Sequence, residues 1–99
     1  MHIISGEFKV KDKYRDDLIE MSLKLIPVSL AESGCISYSF LEDKLRHGHF
    51  LFFERWENRD AITEHFDKSY FKDFANKFPG MIEGNATIEI HEIISTEKI

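Results

Sequence analysis

The run His49-Phe50-Leu51-Phe52-Phe53-Glu54-Arg55-Trp56 decides the fold. At period two it places Phe50, Phe52, Glu54 and Trp56 on one face, and Leu51, Phe53 and Arg55 on the other. A strand with one wet face carries polar side chains at alternate positions. Here both faces are apolar, so both sides of the sheet need cover.

Working outward, the polar stretch Asp43-Lys44-Leu45-Arg46-His47-Gly48 turns the chain. Before it, Cys35 to about Asp43 alternates again, with Ile36, Tyr38 and Phe40 opposed to Cys35, Ser37, Ser39 and Leu41. The two segments read as an antiparallel hairpin. Residues 2–10 form another alternating strand, with Ile4, Gly6, Phe8 and Val10 on one side. The spacing of Tyr14, Leu18, Met21, Leu25 and Val28 predicts a helix over about 13–32, capped by Asp12, kinked at Pro27 and stopped by Ser33-Gly34. After the hairpin, Asn58 caps a helical stretch carrying Ile62, Phe66, Phe71, Phe74 and Phe78. A break is expected near Ser69 and an end at Pro79-Gly80. A last strand covers about 85–95, with Ile88, Ile90 and Glu92 opposed to Glu89, His91 and Ile93.

The order βαββαβ predicts an α+β, ferredoxin-like antiparallel sheet with its helices on one face. Helices cover one side of the central strand, and the other would expose a contiguous apolar patch. A second copy of the chain is its simplest cover. A homodimer through Leu51 and Phe53 is therefore expected, with Phe52, Glu54 and Trp56 facing the helices.

The chain has 99 residues, of which 42% are hydrophobic and 31% charged, which suits one domain over 1–99. Nine phenylalanines supply an apolar excess that association would absorb. A net charge of −5 without a basic patch argues against a nucleic-acid partner. The apolar run Phe50–Phe53 is far too short to span a bilayer. Met1-His2-Ile3-Ile4-Ser5 lacks the features of a secretory signal, and the single cysteine, Cys35, suits a reducing compartment. A cytoplasmic location is expected.

Several residues could carry chemistry. The helical period brings His65 to the edge of the core-facing stripe, where it is either a base able to accept a phenolic proton or a core-edge histidine with a backbone partner. Glu54, between Phe52 and Trp56, is either one half of a structural ion pair or a buried carboxyl with a raised pKa. Trp56 either completes the core or walls a planar ligand, and Tyr38 and Phe40 could extend that wall. His47-Gly48-His49 lacks a third metal ligand at a recognisable spacing and has a hairpin reason for its glycine. No phosphate loop, dinucleotide fingerprint or nucleophile elbow occurs.

Ile26-Pro27, Ser33-Gly34-Cys35-Ile36-Ser37-Tyr38, Phe53-Glu54-Arg55-Trp56-Glu57-Asn58 and Glu64-His65-Phe66 together resemble the antibiotic biosynthesis monooxygenase family, in particular its quinol monooxygenase branch. The resemblance extends over almost the whole chain. It implies a dimeric α+β barrel that oxidises a quinol or a small phenolic aromatic with molecular oxygen, using no flavin, haem or metal. It further implies His65 as base, Trp56 as ring wall and Glu54 as an orienting or proton-relaying carboxylate. Tyr38, Phe40, Phe52, Ile62, Phe66 and Phe71 would then lie around the substrate. The actinorhodin-pathway member carries asparagine and tyrosine where this chain has Phe52 and Ile62. The haem-degrading pattern is also absent, with Glu7, His65 and Ala75 at its places. The alternative is a non-catalytic dimeric module that binds a small apolar ligand.

Overall fold

The computed structural model describes residues Met1–Ile99. Strands β1 (His2–Val10), β2 (Cys35–Glu42), β3 (His49–Trp56) and β4 (Ile82–Glu92) form one antiparallel sheet in the order β2-β3-β1-β4. Helices α1 (Arg15–Leu30), α2 (Arg59–Phe66) and α3 (Ser69–Lys77) complete a ferredoxin-like α+β fold. No helix is long and apolar enough to cross a membrane.

The alternation read in β1 and β3 holds. Ile4, Phe8 and Val10 of β1 and Phe50, Phe52 and Trp56 of β3 are buried in one core with Leu18 of α1 and Ile62 of α2. Leu51 and Phe53 lie on the other side, where the Arg55 guanidinium sits 5.0 Å from the centre of the Phe53 ring. The helical stretch after Asn58 does break before Ser69, and Asn58 Oδ1 accepts the Ala61 N–H at 2.8 Å as the cap of α2.

Four local expectations are corrected. Asp12 is not the cap of the long helix but the first residue of a 3-10 turn over Asp12–Tyr14, and no side chain caps either element. The buried stripe of α1 is Leu18, Ser22, Leu25 and Ser29, whereas Val28 is exposed. In β2 the pairing slips between Cys35 and Ser37, so Cys35 packs on the core and Ile36 is pushed out to 50% exposure. A bulge adds a residue and reverses the side on which its neighbours emerge, which strict alternation cannot anticipate. Finally, β4 begins at Ile82, three residues earlier than its pattern suggests. Its ladder with β1 shifts between Glu7 and Lys9, beside Gly84 at φ +62°.

Two features fix the geometry that matters for the site. Arg15 grips Glu42 through Nη1 at 2.5 Å and Nη2 at 2.6 Å, and the Gly48 N–H reaches Glu42 Oε2 at 2.8 Å. Arg15 first and Gly48 second bring the Glu42 carboxyl down to about 2 and tie α1 to the β2–β3 hairpin. Gly34 performs a different task from the helix stop read in the sequence, since its φ is not positive. A Cβ on Gly34 would lie 2.4 Å from Ala61 Cβ, so only glycine lets the segment after α1 touch α2. Its carbonyl also accepts the Glu57 N–H at 2.9 Å.

Gly34→Ala should therefore destabilise the fold by about 1–3 kcal/mol through overpacking. Urea unfolding monitored by Trp56 fluorescence measures this, and an unchanged midpoint would contradict the close-approach account.

Candidate functional site

Three elements place the central group. Glu54 of β3 lies opposite Ile4 of β1 and Tyr38 of β2, on the face that looks toward the helices. Its neighbour on that face, Trp56, is fully buried and donates Nε1–H to Glu54 Oε1 at 3.0 Å. The cap at Asn58 sets the phase of α2, so that Ala61, Ile62 and His65 form its buried side. His65 is 1% exposed, and its ring centre lies 4.6 Å from that of Trp56. Nε2 of His65 is 4.0 Å from Glu54 Oε1.

The other side of the imidazole meets a residue that the sequence did not single out. Nδ1 of His65 lies 2.6 Å from Glu32 Oε2, and the Tyr70 O–H donates to the same oxygen at 2.6 Å. Glu32 comes from the segment between α1 and β2, and Tyr70 from α3. One signal for Glu32 was present: a carboxylate just beyond the last turn of a helix opposes the macrodipole and needs another partner. Nothing local marks Tyr70.

In front of Glu54 lies a cavity of about 310 Å³ between the sheet and α3. Gly6, Ile4, Phe8 and Phe52 form its floor, Phe71, Phe74, Ala75 and Phe78 its roof. Leu25, Tyr38 and Phe66 close the sides, and Ala86 and Ile88 of β4 form a rim where Ile88 is 60% exposed. Gly6 leaves the floor open between Ile4 and Phe8. Glu54 and Tyr38 bring the polar side-chain groups of this lining.

Of the residues read from the sequence, Tyr38, Phe52, Glu54, Phe66 and Phe71 line the cavity. His65 and Trp56 stand behind Glu54. Ile62 is core, and Phe40 stacks on Phe50 with ring centres 4.8 Å apart. The contacts of His65 and Glu54 are as follows. The partner of His65 is a carboxylate and not a backbone group, and Glu54 has an indole N–H and no cation. Gly48, at φ +81°, serves the hairpin turn between His47 and His49.

Burial is the main influence on the electrostatics. It pushes the Glu54 carboxyl up to about 7 against the opposing hydrogen bond from Trp56. It lowers the His65 pKa, with Glu32 pulling the other way. It also raises the Tyr38 phenol, and it pushes the Cys35 thiol up to about 11, which leaves that thiol a poor nucleophile. The site thus combines an apolar chamber with one carboxyl poised near neutrality and, behind it, an imidazole whose charged form burial disfavours.

Because Glu54 is raised from 4.5 to about 7, the folded chain holds its proton more tightly than the unfolded one. The associated stability is complete below about 4.5 and is lost as the pH rises through about 7. Glu54→Gln, which keeps the shape and removes the charge, should be the more stable protein at pH 8 by about 2 kcal/mol. The difference should shrink toward pH 5. Paired urea titrations at the two pH values test this, and equal stabilities at pH 8 would contradict the buried-carboxyl account.

Residues 1–77 match the profile of the antibiotic biosynthesis monooxygenase family. The Synechocystis protein sll1783, named as uncharacterized, is 40% identical over 98% of this chain, which spans 66% of that relative's length. A crystal structure of an antibiotic biosynthesis monooxygenase superimposes with TM-score 0.88 at 20% identity, over 96% of this chain and 100% of that one. The structure of Rv0793 from Mycobacterium tuberculosis gives 0.91 at 20% identity, over 98% of each chain. At such identities these structures bear on the fold alone.

Proposed function

This chain belongs to the antibiotic biosynthesis monooxygenase family, and from that premise we propose that it oxidises a quinol or small phenolic aromatic with molecular oxygen, without flavin, haem or metal. The observation that carries the reading is Glu54, a carboxyl near neutrality on the wall of an apolar cavity with an aromatic roof. A chamber of about 310 Å³ suits one or two fused rings.

The chemistry needs little from the protein beyond binding, deprotonation and exclusion of water. A hydroquinone O–H gives its proton to the Glu54 carboxylate. The electron-rich anion passes one electron to oxygen, and the resulting semiquinone and superoxide combine at a ring carbon as a peroxide. The peroxide anion takes up one proton, replacing the one given to Glu54, and loss of water then leaves a carbon–oxygen double bond. One oxygen atom enters the product and the other leaves as water, all four electrons coming from the substrate. His65, 4.0 Å behind Glu54, takes the proton onward and resets the base. Trp56 holds Glu54 in place through its indole N–H.

A second reading is a module that binds an apolar ligand without turnover. It is favoured by the seclusion of His65, which has no surface on the cavity. Oxygen consumption by metal-free protein with a panel of hydroquinones separates the two. The wild type should accelerate uptake above the buffer rate, while Glu54→Gln and His65→Ala should each lose about a hundredfold or more. Because the active form of Glu54 is the carboxylate, the catalysed rate should climb as the pH passes about 7. Ligand binding with no uptake would instead establish the module.

The homodimer belongs to the same proposal. Leu51 and Phe53 are only half-buried, and Ile36 and Leu41 on the neighbouring strand are about half exposed, at 50% and 52%. An apolar sheet face of this kind needs a partner, and a second copy supplies matching chemistry. The double variant Leu51→Lys, Phe53→Lys should sediment as a monomer or fail to fold, whereas the wild type should sediment as a dimer. A monomeric wild type would remove the idea.

A further inference from the structure

We propose that Glu32 is a positioning residue that keeps His65 in the tautomer protonated at Nδ1, so that the bare Nε2 faces Glu54 and can receive its proton. This rests on the reading of Glu54 as the base at the cavity. The geometry is specific. A single oxygen, Glu32 Oε2, lies 2.6 Å from both His65 Nδ1 and the Tyr70 hydroxyl. A carboxylate oxygen accepts hydrogen bonds, so Nδ1 carries a proton toward it and the lone pair of the neutral ring is left on Nε2. Nε2 lies 4.0 Å from Glu54 Oε1, a gap that must close by about 1 Å for a proton to pass directly.

When Glu54 has taken a proton from the substrate, it donates that proton to Nε2. The ring becomes an imidazolium between two carboxylates, and its positive charge is stabilised by the one it already touches. Without Glu32, the buried ring would keep only the more distant Glu54 carboxylate as compensation for that charge. His65 is the innermost of the three groups, with its side chain 1% exposed against 9% for Glu32 and 7% for Glu54.

Gly34 is what makes the arrangement possible, because its contact with Ala61 seats the Glu32 segment against α2. A purely structural role for Glu32 is the competing account. The Tyr70 hydroxyl ties α3 to Glu32 and lies 3.3 Å from the Val28 carbonyl, so the carboxylate could act as a clasp alone.

Nitrogen-15 NMR of the imidazole in the resting protein distinguishes them. The wild type should show His65 neutral, protonated at Nδ1 and bare at Nε2. Glu32→Gln, whose amide can present either its oxygen or its NH2 to Nδ1, should give a mixture of tautomers. Glu32→Asp keeps a carboxylate and should restore the wild-type spectrum in part. Tyr70→Phe, which cuts the clasp and leaves the carboxylate on His65, should leave the tautomer unchanged. A wild-type ring protonated at Nε2 would overturn the proposal even if the variants failed to fold. So would an unaltered tautomer in Glu32→Gln, or a change in Tyr70→Phe as large as that in Glu32→Gln. If hydroquinones are turned over, Glu32→Gln should also lower kcat by about tenfold or more with little change in KM. Absence of any oxygen uptake would remove the oxygenase reading while the spectrum still decides the role of Glu32.

Discussion

A carboxyl group kept out of water is the constraint on which the site depends. Glu54 could sit harmlessly on the opposite face of β3 beside Arg55, yet it lies between Phe52 and Trp56 and beneath α2 and α3. A buried carboxylate without partners is costly, and the structure meets that cost incompletely. One indole N–H is supplied, no cation is, and the group is left near the point of protonation. The surrounding architecture then acquires a purpose. Trp56 holds the carboxyl, α2 brings an imidazole behind it, and the Glu32 segment brings a second carboxylate behind that.

Much of this was legible in the chain because it is written in local periods. Alternation along His49–Trp56 separates Phe52, Glu54 and Trp56 from Leu51 and Phe53, and the capped turn at Asn58 fixes which residues of α2 point inward. His65 follows from Ile62 by helical spacing alone. Glu32 and Tyr70 are different. Each lies on a separate element, and only the closing of the fold brings them to one oxygen atom. No spacing rule connects a residue after α1 with another in α3.

The smaller misreadings have the same origin. The bulge that turns Cys35 inward and Ile36 outward depends on how β2 meets β3, a property of the pair and not of either strand. The α1 stripe hides Ser22 and Ser29 and exposes Val28, because helix phase against the sheet outweighs the preference of single side chains. Serine carries no hydrophobic signal, so the pattern of apolar residues could not have marked Ser22 and Ser29 as interior. Gly34 was read as a stop, but its function is steric, and that requires knowledge of Ala61.

One residue in the floor of the chamber has no side chain. Gly6 sits in the middle of β1 without a side chain, and a Cβ there would meet Phe52 Cβ at 3.7 Å and Ile88 Cγ1 at 3.8 Å, both ordinary contacts. The backbone at Gly6 is not in the left-handed region, so it imposes no need for glycine. A small side chain at Gly6 would thus take volume from the chamber without a clash in the sheet beneath it. Successive substitutions at one position could shrink the chamber methyl by methyl while leaving Glu54, His65 and Glu32 in place. Ligand size becomes a trait that can drift independently of the proton-handling machinery, which lets a single scaffold diversify without relearning how to fold.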